Sequence, residues 1–160
     1  MVTRDFTSLR ADIRRELTSL DRLAAETEQL LARMPDRPGF VEIRAAGSLL
    51  HDFYTGAEKI FQRIALEMEG GLPSGAEWHS ELLARMASPV EDRRPAVISE
   101  ELKDQLGEYL RFRHLFRYMY GFQLRWGRCQ VLLSDLPAIK HEFERQLHTF
   151  LDFLRSLEKS

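Results

Sequence analysis

The sequence predicts an all-α bundle of five or six helices around one core, with residues 1–160 as a single domain, on three observations. Apolar residues recur at steps of three and four over most of the 160 residues. No stretch alternates with period two over a useful length, and no Asn-Gly or Asp-Gly hairpin signal occurs. Prolines and glycines fall between the apolar stripes, where helices have to stop.

Each element follows from local pattern. Phe6, Leu9, Ile13, Leu17, Leu20, Leu23, Leu30 and Met34 form one stripe of a long first helix, which Pro35, Pro38 and Gly39 break. A second helix over roughly 40–69 carries Leu49, Leu50, Phe53, Tyr54, Ala57, Ile60, Phe61, Ile64, Ala65 and Met68. That face is broad enough to need cover from more than one side. Gly70, Gly71, Pro73 and Gly75 end it, and a shorter helix holds Trp78, Leu82, Leu83 and Met86. The polar stretch 88–95, with two prolines, reads as an exposed connection. Ser99 with Glu100 and Glu101 starts the next helix, a hydroxyl cap followed by acids at the positive dipole end. This helix is predicted to run to about Tyr120 and stop at Gly121. Another begins near Leu124, and Ser134-Asp135-Leu136-Pro137 starts the last, which carries Ile139, Phe143, Leu147, Phe150, Leu151 and Leu154.

Composition bounds the function. Charged residues are 30% and hydrophobic residues 44%, a globular balance too apolar for a disordered chain. The net charge of −2 excludes a uniformly basic nucleic-acid binder but says nothing about local patches. No apolar run is long enough to span a membrane, and the first residues lack the apolar core of a signal peptide. One cysteine, Cys129, excludes an internal disulfide and a multi-thiolate metal site, so a reducing, cytoplasmic setting without a cofactor is expected.

The charge is unevenly spread. Residues 109–134 hold Arg111, Arg113, Arg117, Arg125 and Arg128 and no acid, so this window carries +5 and the rest of the chain −7. All five cations are arginine, whose planar fork suits phosphate. On a helical projection with Arg113 at zero, Phe112, Leu115, Phe116 and Met119 fall at roughly 200–300°, the core side. Arg111, Arg113, His114, Arg117 and Tyr118 fall at roughly 0–160°, the opposite, basic and aromatic face. Two uses fit that pattern: a face solvated or paired with acids of neighbouring helices, or a site for phosphate or RNA. In the second case Arg113, Arg117 and neighbouring arginines carry the binding, and Lys140 on the last helix matters little.

The segment Arg113-His114-Leu115-Phe116-Arg117-Tyr118-Met119-Tyr120 resembles the signature of HEPN-domain ribonucleases, specifically the HepT-like toxins. Their motif is Arg, a polar residue, three more positions, His, one residue, then Tyr. Arg113 matches the first position, His114 the second and Tyr120 the last. Further stretches are similar to the same subfamily, in order along the chain: His51 to Phe61, Trp78 to Leu83, Arg94-Pro95, and Tyr109 to His114. The resemblance implies an HEPN-type helical bundle, a homodimer that brings two motifs together, and a metal-independent endoribonuclease acting on RNA. It further implies a nucleotidyltransferase antitoxin of the MNT type, which adenylylates the motif tyrosine in some relatives.

One departure bears on the chemistry. Tyr118 stands where the family has its second catalytic residue, His. Cleavage needs a group that exchanges protons near neutral pH and a cation on the phosphate. Arg113 suits the second role, whereas a phenol with a pKa near 10 is a poor substitute for an imidazole near 6.5. The expected site is therefore Arg113, His114 and Tyr118 for catalysis, impaired at 118, with Arg111, Arg117 and Arg125 for RNA and Tyr120 as the adenylylation candidate. The alternative is a catalytically inactive HEPN-like scaffold that binds RNA, nucleotide or a protein partner through the arginine face.

Other single residues carry blander readings. Tyr120 also fits the edge of the core. His141 and His148, seven apart on one helix, read as surface histidines because no Asp, Glu or Cys cluster accompanies them, so no metal is expected. His51 and Glu58, likewise seven apart, read as a buried polar pair or a structural contact. Trp78 and Trp126 read as packing residues. Arg128 beside Cys129 is a candidate for lowering the thiol pKa, without a catalytic partner.

Overall fold

The computed structural model describes residues 4–159; Met1–Thr3, part of the segment read as lacking a signal peptide, lie outside the described residues. Five α-helices follow in order among the described residues: α1 (Thr7–Ala32), α2 (Phe40–Met68), α3 (Trp78–Met86), α4 (Glu100–Phe116) and α5 (Trp126–Glu158). A single 3-10 turn, Gly121–Gln123, lies between α4 and α5. The chain is an all-α helical bundle. None of these helices is long and apolar enough to cross a membrane.

The broad apolar face of α2 explains the layout. It packs against α1, α3, α4 and α5 at once, and Leu50, Phe53, Tyr54, Ala57, Phe61 and Ile64 are fully enclosed. Around it α1 contributes the single stripe Leu9, Ile13, Leu17 and Leu20, and α5 the stripe Leu133, Leu136, Phe143, Leu147 and Leu154. These side chains join one continuous core that runs from Phe6 to Leu154. The starts of α2 and α4 are closed by side chains. Glu42 accepts from the Gly39 N–H at 3.1 Å, and the Ser99 hydroxyl accepts from the Leu102 N–H at 3.1 Å. A serine cap of this kind contributes about 1 kcal/mol. The connection between α3 and α4 is pinned by Arg94, whose buried guanidinium donates to Glu69 and to the carbonyls of Arg85, Ser88 and Pro95.

Two boundaries differ from the sequence expectation. Helix α4 ends at Phe116 and does not reach Tyr120. The N–H of Tyr118 turns to the Leu115 carbonyl at 3.1 Å, three residues back, as the helix tightens and stops. What holds this end is α2: a Cβ at Gly47 would lie 2.8 Å from Phe116 Cε2 and 2.7 Å from Leu124 Cδ2. Glycine there lets both side chains dock on α2, and the residues between them leave the surface as a loop.

The second difference is that no new helix starts at Pro137; α5 runs through it. Proline inside a helix costs about 3 kcal/mol or more, since one hydrogen bond is lost and the ring meets the preceding turn. Here the stripe Cys129, Leu133, Leu136, Ile139 and Phe143 is buried on both sides of the proline, which holds the helix in one line. The Tyr109 hydroxyl donates to the Leu132 carbonyl at 2.7 Å, beside the interrupted turn. Lys140, one turn further, is itself drawn in: its ammonium bridges Asp21 on α1 and Glu144.

Candidate functional site

The motif segment 113–120 begins in the last turn of α4 and ends in the loop before the 3-10 turn. The two halves have opposite environments. Arg113 is only 2% exposed, so at this residue the basic face of the helical projection is turned inward and paired with an acid of a neighbouring helix. A projection orders side chains around one axis but does not see neighbouring helices, and here α2 and α3 cover that side of α4. Conversely Leu115, assigned to the core side, is about half exposed.

Arg113 sits in a closed polar cluster. One guanidinium nitrogen, Nη2, donates to Glu58 Oε2 at 2.9 Å, and Nη1 donates to the Thr55 hydroxyl at 3.3 Å. The guanidinium carbon lies 4.9 Å above the Tyr54 ring, a cation–π contact. His79 brings Nδ1 to 2.8 Å from the same Glu58 oxygen and 3.0 Å from Arg113 Nη2. A carboxylate cannot donate, so the 2.8 Å contact is a hydrogen bond when Nδ1 carries a hydrogen, and Nδ1 and Arg113 Nη2 then both donate to Glu58. Burial, and then the Glu58 carboxylate, push the Tyr54 phenol above its ordinary range, while Arg113 opposes them. The Tyr54 hydroxyl is buried and has no hydrogen-bond partner among the described residues.

Sequence reasoning linked Glu58 to His51, but the carboxylate pairs with Arg113 and His79 instead. His51 meets Asp52 at 3.3 Å and the Phe116 ring. The signal that was available is the place of Glu58 itself: a carboxylate one turn from Tyr54 on an apolar stripe needs a buried partner. Trp78 is partly buried against the core and lies across the His79 ring at 3.7 Å; Trp126 is also partly buried against the core.

The rest of the motif is outside. His114 is exposed and meets the Tyr118 ring edge-on at 5.4 Å. Tyr118 is 79% exposed and lies beyond the end of α4. Tyr120 is 71% exposed, so it is not at the edge of the core; its ring lies parallel to that of Phe122, at 7° and 5.2 Å. Arg117 and Arg125 are exposed, and among the described residues neither has a carboxylate within ion-pair distance; the same holds for Arg128. Arg111 is exposed but paired with Glu108. Arg44 on α2 joins this end, a residue that the linear window missed. Its side chain lies over Gly121, where a Cβ would come within 2.8 Å of Nε.

Between α3 and α4 lies a cleft of about 900 Å³, lined by His79, Ser80, Lys103, Arg111 and His114 among others. Elsewhere, His148 faces Glu144 at 3.7 Å. No group of three or more His, Cys, Asp or Glu able to hold a metal ion occurs among the described residues. Cys129 is fully buried, and burial pushes its thiol up to about 11. That is the reverse of the lowering expected from Arg128, whose exposed side chain acts through solvent while the thiol sits in the core.

Comparison with curated proteins returns no match, and neither does comparison with solved structures. A family model described as HepT-like protein matches residues 45–154, from the second turn of α2 to the last turns of α5, and takes in the Arg113 cluster and the exposed loop. The chain belongs to the HepT-like family.

Proposed function

We propose that this chain is the toxin-type component of a HepT-like toxin–antitoxin pair, binding RNA at the motif end, with its cleavage step impaired by Tyr118. The supporting observation is the composition of that end. Arg117, Arg125, Arg128 and Arg44 have no carboxylate partners among the described residues; the exposed rings of Tyr118, Tyr120 and Phe122 fall between Arg117 and Arg125 in the chain, and Arg44 lies over Gly121 in the same segment. Unpaired guanidinium groups attract phosphate, and exposed aromatic rings stack on bases, which together are the usual means of holding a single strand. A second copy of the chain would complete the site. A nucleotidyltransferase antitoxin would find Tyr120 accessible for adenylylation.

The chemistry of the motif is split. A phenol at 118 does not accept a proton readily near neutral pH, and Arg113 is neutralised by Glu58 inside the fold. That ion pair favours a second reading, a catalytically inactive scaffold that binds RNA, nucleotide or a protein partner with the exposed arginines. The deciding experiment is Tyr118→His, assayed on an RNA oligonucleotide in EDTA. Restored acid–base catalysis is expected to raise cleavage by a factor on the order of 10²–10⁴. A folded Tyr118→His variant that binds RNA without cleaving it selects the scaffold. Absence of RNA binding by the unaltered chain overturns the RNA reading itself.

A further inference from the structure

We propose that the N-terminal turn of α3 is a hinged lid over Arg113, and that this guanidinium meets an anion in the α3–α4 cleft only when His79 leaves Glu58. The proposal rests on the RNA reading above and adds a gate to the same site. The two ends of α3 are held very differently. At the C-terminal end Leu82, Leu83 and Met86 are buried. The Met86 carbonyl accepts from the N–H groups of Val97 and Ile98 at 2.8 and 3.1 Å, and Arg94 donates to the Arg85 carbonyl at 3.1 Å. The N-terminal end has no side-chain cap. Ahead of it, after buried Pro73, the residues Ser74, Gly75, Ala76 and Glu77 are all exposed. Gly75 has φ 109°, which glycine adopts without strain, and a Cβ there would meet nothing within 4 Å. This stretch is a free joint.

One polar contact closes the lid. Among the described residues, the side chains of 77–81 hydrogen-bond to the rest of the fold only through His79. Trp78 rests partly buried against the core with its ring across His79 at 3.7 Å, so the two rings leave together. Opening strands no charge, because Glu58 Oε2 accepts from both His79 and Arg113 and keeps the guanidinium when His79 departs. His79 lines the cleft, whereas Arg113 and Glu58 behind it do not. Of the five N–H groups of Arg113, two are given to Glu58 and Thr55, and the His79 ring stands 3.0 Å from Nη2. With the ring gone, Arg113 presents donors to the cleft. The lining carboxylates do not oppose this: Asp104 and Glu108 are paired with Lys103 and Arg111, and Glu77 sits on the lid and swings out with it. His114 lines the same cleft and meets the Tyr118 ring at 5.4 Å, so the opening adjoins the exposed loop. A phosphate of a strand held at that loop is the anion that the opened lid admits.

Hydrogen exchange read by mass spectrometry tests the lid, and binding of a single-stranded RNA oligonucleotide tests the masked cation. In the unaltered chain the amides of Leu82 and Leu83, which bond to carbonyls of the first turn of α3, should exchange faster than that of Met86. His79→Ala should speed them roughly tenfold further and leave Met86 unchanged. His79→Gln, whose amide still donates to Glu58, should stay near the unaltered chain. Arg113→Gln should weaken oligonucleotide binding roughly tenfold in the His79→Ala background and much less with His79 in place. If Arg113→Gln does not fold, Arg113→Lys, which keeps the charge but not the fork, takes its place. Exchange at Leu82 and Leu83 that matches Met86 and ignores His79→Ala overturns the lid. Equal losses from the Arg113 variant in both backgrounds, or none in either, overturn the masking. If the oligonucleotide does not bind at all, the RNA reading falls, and the exchange measurement alone decides the lid.

Discussion

Arg113 and Glu58 are 55 residues apart in sequence and meet at 2.9 Å, with their side chains only 3% and 6% exposed. A charge pair so enclosed is costly to break, because removing one partner strands the other in a medium that solvates it poorly. Glu58→Gln leaves the Arg113 guanidinium without its counter-charge and is expected to destabilise the fold by about 3–5 kcal/mol. Denaturant unfolding should show a lower midpoint at an unchanged slope. The double variant Glu58→Leu with Arg113→Met removes both charges and should be more stable than Glu58→Gln. A Glu58→Gln midpoint equal to that of the unaltered chain would mean the pair is open to water in solution.

How much of this was legible in the sequence depends on whether the cause is local. The starts and stops of α1, α2 and α3, and the Ser99 cap, follow from apolar spacing and from Pro, Gly and Ser, all within a few residues. The end of α4 is decided by the contact of Phe116 and Leu124 with Gly47, some seventy residues away, and continuity through Pro137 by burial of Leu133 and Leu136. Exposure of Arg117, Tyr118 and Arg125 was legible from one segment. The inward turn of Arg113 was not, since it needs Glu58 from α2 and His79 from α3. Lys140 shows the same limit: it looks like a lone surface lysine, yet it bridges Asp21 and Glu144.

If the loop end binds RNA, affinity should fall steeply with salt, because each phosphate contact releases counterions. Arg117→Ala and Arg125→Ala should each weaken binding and lower the salt slope by about one. Arg14 on α1, exposed and remote in the chain, is the proper control; Lys140 is not, since its loss would leave Asp21 and Glu144 unpaired. Fluorescence anisotropy at several salt concentrations reads both quantities. Equal losses at positions 14, 117 and 125 would place the binding surface elsewhere.

Cys129 offers a probe of the core. Burial raises its thiol pKa from 9.0 to about 11, so the fold favours the neutral form. The stability that the neutral thiol contributes is complete below pH 9 and is lost as pH rises through 11. Iodoacetamide should therefore label the folded chain very slowly at pH 8 and the denatured chain fully. Rapid labelling under native conditions would show that the start of α5 opens, and with it the anchor of the exposed loop.

The loop end also bears on assembly. Tyr118, Tyr120 and Phe122 are each more than two-thirds exposed, and Leu115 and Val131, on α4 and α5, are exposed apolar residues as well. A monomer seldom leaves that much apolar side chain in water without a partner for it. The proposed two-fold dimer would cover part of this surface and set two copies of the motif loop against one cleft, with the unpaired arginines along its edges. Light scattering at tens of micromolar is expected to give twice the chain mass. Phe122→Asp, which changes no core contact of a residue 74% exposed, should shift the mass toward that of one chain. With Cys129→Ser in the background, Tyr118→Cys should form an intermolecular disulfide under mild oxidation if the two loops approach across the axis. A strict monomer would remove the shared cleft, and a dimer that resists Phe122→Asp and gives no disulfide would put its axis on another face, leaving the exposed rings free for RNA.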